Sequence, residues 1–130
     1  MIQEDYVSFE TAKLLKEKGF EYNPDESYWL IDANNTLYWI SSIGAYDYVD
    51  TPTESFQRPK NGYRLITQAM AMKWLREKNI IINVWYNGVD WDAEYYNDED
   101  ENFYFITEPS CNSYEEAAEA AIKYCLEKLI

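Results

Sequence analysis

Histidine is missing from all 130 positions. Its absence removes Ser-His-Asp and Cys-His catalysis and every histidine-bearing metal site. Cysteine occurs twice, at Cys111 and Cys125, too few for a four-cysteine zinc site. Two thiols fit a reducing compartment, and the expectation is two unlinked, core-packed cysteines rather than a disulfide. Neither a GxGxxG fingerprint nor a P-loop occurs, so the common phosphate cradles are lacking. There is no run of about 18 apolar residues. The opening Met1–Tyr6 is acidic and lacks the basic-then-apolar pattern of a secretion signal. These features predict a soluble cytoplasmic protein with no membrane partner and no cofactor.

Glycine and proline are scarce at four each, while 47% of residues are hydrophobic. Disorder requires low hydrophobicity as well as high charge, so a folded chain is expected. The length suits one compact domain over 1–130. Such a domain buries roughly two-thirds of its unfolded surface and needs no metal or disulfide staple.

Positive charge is the most unevenly missing property. Net charge is −13. Residues 1–78 carry 12 acids and 9 bases, whereas 79–130 carry 12 acids and 2 bases, and no Lys or Arg lies between Lys78 and Lys123. Phosphate binding needs clustered Lys and Arg, so direct nucleic-acid binding is disfavoured and a basic protein partner is favoured.

What is present reads as α+β. Ser8 caps a first helix, with Val7 and Ala12 placed as a hydrophobic staple and Gly19 at its stop. Two aromatic, branched runs follow, Tyr28–Asp32 and Thr36–Ser41, joined by a turn at Asn34-Asn35. The stretch of about 44–62 reads as a long irregular loop. Thr67 caps a second helix running to about Lys78, with Met70, Ala71, Trp74 and Leu75 as its apolar stripe. Strands at Ile80–Tyr86, Val89–Tyr95 and Phe103–Thr107 come next, the first two joined at Asn87-Gly88. Ser113 and Glu116 form a capping box for the last helix, on which Glu119 and Lys123 are spaced as an i,i+4 pair. The order is α-β-β-α-β-β-β-α. Hairpin links imply antiparallel sheet with three helices packed on it.

The candidate interaction surface is the acidic, tyrosine-bearing stretch Asp90, Asp92, Glu94, Tyr95, Tyr96, Asp98, Glu99, Asp100 and Glu101, with Tyr46 and Tyr48 as secondary members. A calcium loop starting at Asp90 would draw on Asp90, Asp92, Glu94 and Glu101, but it needs glycine where Tyr95 stands and helices where strands are predicted. Alternation explains the spacing more simply, with Asp90, Asp92 and Glu94 on one strand face and Trp91, Ala93 and Tyr95 on the other. Asp98–Glu101 reads as a solvated hairpin turn. Exposed tyrosines are enriched at interfaces, whereas Trp29, Trp39, Trp74 and Trp85 are expected in the core. General acid/base chemistry needs a positioned carboxylate pair, and nothing in the spacing selects one.

Three blocks carry a family resemblance. They are Tyr6-Val7-Ser8-Phe9-Glu10-Thr11-Ala12-Lys13-Leu14-Leu15-Lys16-Glu17-Lys18-Gly19-Phe20, Thr67-Gln68-Ala69-Met70-Ala71-Met72-Lys73-Trp74-Leu75-Arg76-Glu77, and Ser113-Tyr114-Glu115-Glu116-Ala117. Together they resemble a family of small uncharacterised phage and prophage proteins of gut Bacteroidales. The resemblance implies a bacterial cytoplasm and a phage accessory role, and it carries no site residues. The expected function is non-enzymatic protein interaction, as a monomer or homodimer. The alternatives are a DNA-mimic inhibitor of a nucleic-acid-binding protein, a carboxylate-based enzyme, and a virion or assembly component.

Overall fold

A computed structural model describes residues 4–22, 26, 28–43, 46–50 and 62–130, with the backbone course alone over 41–43 and 46–50. The elements in chain order are α1 (Phe9–Glu17), β1 (Tyr28–Ile31), β2 (Leu37–Ile43), β3 (Tyr46–Asp50), β4 (Tyr63–Arg64), α2 (Gln68–Glu77), β5 (Ile80–Tyr86), β6 (Trp91–Asn97), β7 (Asn102–Phe105) and α3 (Tyr114–Lys128). The chain is α+β, and the order read from the sequence is present with two short strands added before the second helix. One of these, β3, falls inside the stretch expected as a loop over 44–62. Tyr46, Tyr48 and Val49 are strand formers, and antiparallel pairing with β2 supplies the ladder that Asp47 and Asp50 tolerate. The remainder of that expected loop, 44–45 and 51–61, lies outside the described residues.

Among the described residues the strand pairings are antiparallel and form two sheets, one ordered β3-β2-β1-β4 and one ordered β5-β6-β7. The first hairpin turns through Asp32, whose Oδ1 accepts from the Asn34 and Thr36 amides at 2.9 Å each. Asn35 takes the left-handed conformation there, with φ 61°. The second hairpin closes at Tyr86 opposite Trp91, so four residues turn rather than the two expected. Asn87 is the cause. Its Oδ1 accepts from both the Val89 and the Asp90 amides, and its own amide donates to the Asp90 carbonyl. A side chain that mimics backbone in this way sets a wider turn.

Helix starts follow the sequence signals closely. The hydroxyls of Ser8, Thr67 and Ser113 each accept from the amide three residues on, at 3.1–3.2 Å. At α3 the reciprocal half of the box is displaced by one residue, because Glu116 accepts from the Asn112 amide rather than from that of Ser113. At the end of α1, Gly19 has φ 97° and the Phe20 amide reaches the Leu15 carbonyl at 2.9 Å, which satisfies an otherwise orphaned helix carbonyl.

The main core gathers Val7, Leu15, Ile31, Ala71, Leu75, Ile80, Tyr95, Ile122, Cys125 and Leu126, drawn from all three helices and both sheets. α3 lies across one face of the β5-β6-β7 sheet. Its small residues Ala117 and Ala121 meet Ala93 on β6, and side chains this short allow helix and sheet to approach closely. Met70, expected in the apolar stripe of α2, is half exposed, leaving Ala71 and Leu75 as the fully buried members. The expected Glu119–Lys123 pair does not form. The Glu119 carboxylate instead accepts from the Ser8 amide at 3.0 Å and the Thr11 hydroxyl at 2.6 Å. Lys123 pairs with Glu10 at 2.7 Å. The positive end of α1 captures an acid on α3, an arrangement favoured by the helix dipole. Both cysteines are free thiols. Among the described residues no helix is long and apolar enough to cross a membrane.

Candidate interaction surface

The β5-β6-β7 sheet has two unlike faces, set by strand alternation. Its inner face carries Ile82, Val84, Trp91, Ala93 and Tyr95 against α3. Its outer face is defined by three rows across the ladder. The first row is Ile81, Tyr96 and Phe103, the second is Asn83, Glu94 and Phe105, and the third begins with Trp85 and Asp92. No helix covers these rows among the described residues. Phe103 is 62% exposed and Phe105 55% exposed, unusual values for two phenylalanines on one short strand. Tyr96 and Phe103 touch at 4.7 Å between ring centroids, and Trp85 and Phe105 meet at 6.0 Å. Glu94 sits among these rings, with Asn83 Nδ2 donating to it at 3.4 Å.

The acidic stretch divides into parts with different fates. Asp98, Glu99, Asp100 and Glu101 are exposed and form the turn between β6 and β7, as expected. The turn is ordered from within. Asn97 Oδ1 accepts from the Glu99 amide at 2.9 Å, and Asp100 accepts from the Asn102 amide at 3.1 Å and from the Tyr104 hydroxyl. That last bond to Asp100 raises the Tyr104 phenol above its ordinary value. Glu101 closes the turn at φ 58°. Tyr96 and Glu94 are half-buried members of the outer face, and Asp90 lies half-buried in the β5–β6 turn.

Two expected surface residues are not on the surface. Asp92 is only 6% exposed. Its Oδ1 accepts from the Ser110 hydroxyl at 2.6 Å and the Thr107 hydroxyl at 2.8 Å, and its Oδ2 accepts from Asn87 Nδ2 at 2.8 Å. Asp92 does point to the same side as Glu94. It is buried because the chain after β7 folds back over it, held by reciprocal Trp91–Cys111 backbone bonds of 2.8 Å. The Ser110 and Asn87 donors hold its carboxyl below the usual aspartate range, which opposes use as a proton acceptor at neutral pH. Tyr95 is buried on the inner face, stacked on Tyr104 at 4.8 Å, and burial raises its phenol. The side chains of Tyr46 and Tyr48 lie outside the described residues. Among the described residues no group of three or more acids or thiols is placed to hold a metal ion.

The sequence reading missed Phe103, Phe105, Trp85 and Ile81. Trp85 and Trp29 were both expected in the core, and both are exposed. One signal for the open face was available. Asn102-Phe103-Tyr104-Phe105 is aromatic at both parities, so a strand there must bury both faces or leave one aromatic face open.

Comparison with protein-family models, with curated proteins and with solved structures gives no match.

Proposed function

We propose that this chain is a non-enzymatic protein-interaction module whose binding surface is the outer face of the β5-β6-β7 sheet. The supporting observation is the contiguous array of exposed Trp85, Phe103 and Phe105 with half-buried Tyr96 beside an all-acidic turn. Aromatic residues dominate the energetics of protein interfaces when they desolvate together. The acids at the rim select a basic partner and speed its encounter. Binding of this kind suits an accessory protein acting in a bacterial host cytoplasm, as the family resemblance implies, and repels nucleic acid itself.

The test is comparative retention of host proteins by immobilised wild type and by Phe103→Ser/Phe105→Ser, with folding checked by circular dichroism. Specific proteins should be retained by the wild type and lost by the variant. Equal retention by both folded proteins contradicts it.

A further inference from the structure

Resting on the interaction reading above, we propose that the free edge of β7 binds an extended, lysine- or arginine-bearing segment of another protein by strand addition. β7 pairs with β6 on one side and with no strand on the other among the described residues. The Ile106 amide donates to the Ala93 carbonyl at 3.0 Å, so Ile106 faces β6. Backbone direction alternates along a strand. The amides and carbonyls of Phe103 and Phe105 therefore point outward, at the free edge, while their rings stand on the open outer face. A strand laid there gains main-chain hydrogen bonds from the edge and side-chain contacts from the rings.

Proteins usually blunt such an edge with Lys, Pro or a very short strand. β7 is short, but Asn102–Phe105 contains neither Lys nor Pro. The charge beside it is one-signed. Glu94 lies on the face, Asp98, Glu99, Asp100 and Glu101 lie at one end of the edge, and no residue from 79 to 122 is basic. A second copy is the poorer occupant. Antiparallel pairing of two β7 edges about Tyr104 would bring the acidic turn of each copy toward the Glu108 end of the other, like charge toward like. A segment alternating basic and apolar residues meets the acidic turn and the rings together.

The probe is a short synthetic peptide alternating lysine and valine, titrated into the intact protein by fluorescence anisotropy and by amide resonances. Two analogues accompany it, one N-methylated on alternate backbone nitrogens and one with glutamate in place of lysine. Strand addition predicts saturable binding that moves the Phe103 and Phe105 amides. It also predicts weakening by at least about tenfold on N-methylation, which removes edge hydrogen bonds without altering charge, and no binding of the glutamate analogue. Equal binding of the N-methylated peptide, or no binding of the lysine peptide, overturns the proposal. So does a wild type that sediments as a dimer and becomes monomeric on Phe103→Pro. If the lysine peptide fails while Phe103→Ser/Phe105→Ser still abolishes partner retention, strand addition is lost and the aromatic-face reading stands. Unchanged retention by that variant defeats the reading itself.

Discussion

The Ser110 hydroxyl donates to the Asp92 carboxylate across 2.6 Å, tying the chain that follows β7 to the start of β6. With Thr107 and Asn87 completing the set, Asp92 becomes the point where the two hairpins of the second sheet are joined. Asp92→Ala leaves three donors without their acceptor, and such unmade bonds are costly where water is excluded. The variant is expected to unfold several degrees below the wild type. A melting temperature matching the wild type would show that the cluster is dispensable.

The same carboxylate gives a pH dependence of known sign. Its folded-state pKa is depressed, chiefly by the Ser110 and Asn87 donors. The stability it contributes is therefore fully present above the unfolded aspartate value of about 3.9 and is lost as pH falls through the lower folded value. Asp92→Asn removes the titrating group. The difference in urea-unfolding free energy between wild type and this variant should shrink below about pH 4 and stay constant between neutral pH and about pH 5.

Glu119 joins α3 to the start of α1 through the Ser8 amide and the buried Thr11 hydroxyl. Glu119→Ala strands the buried Thr11 hydroxyl and frees the exposed Ser8 amide to water, and should destabilise the fold by about 1–3 kcal/mol. Chemical denaturation measures this directly. A loss no larger than that of Lys123→Ala, which removes exposed ion pairs with Glu10 and Glu127, would contradict the assignment.

Glu101 holds a left-handed backbone, with φ 58°. That conformation costs a side-chain-bearing residue about 1–2 kcal/mol, and glycine avoids the cost. Glu101→Gly should raise stability by about 1 kcal/mol, visible as a higher urea midpoint with unchanged slope. A lower midpoint would indicate that the glutamate side chain stabilises the turn.

Cys125 is fully buried against the main core, and burial pushes its thiol up to about 12. Cys111 is raised as well, by burial and then by Glu116, Asp92 and Asp90. The thiolate is the reactive form. In the native protein at neutral pH, Cys125 should resist a thiol-specific reagent and Cys111 should react slowly. Both should react within mixing time in denaturant. Rapid native labelling of Cys125 would contradict its burial.

Local signals carried much of the fold. Ser8, Thr67 and Ser113 cap as their sequence contexts imply, since capping is a matter of three or four neighbouring residues. The acidic turn 98–101 was legible for the same reason. What escaped the sequence depends on non-local placement. Asp92 reads as a surface acid until the chain at 107–110 folds over it. Glu119 reads as the partner of Lys123 until α1 arrives beside it. Trp85 reads as core until the sheet is seen to carry α3 on one face, with no helix on the other among the described residues. Strand β3 was hidden because its stabilising partner, β2, matters more than its own mixed composition.

The most direct measurement places a photo-crosslinking benzoylphenylalanine at Phe103, and separately at Lys13 on the exposed side of α1, in a bacterial host. Discrete protein adducts are expected from position 103 and none from position 13. Adducts from position 13 with none from 103 would contradict an interaction surface on the outer face of the β5-β6-β7 sheet.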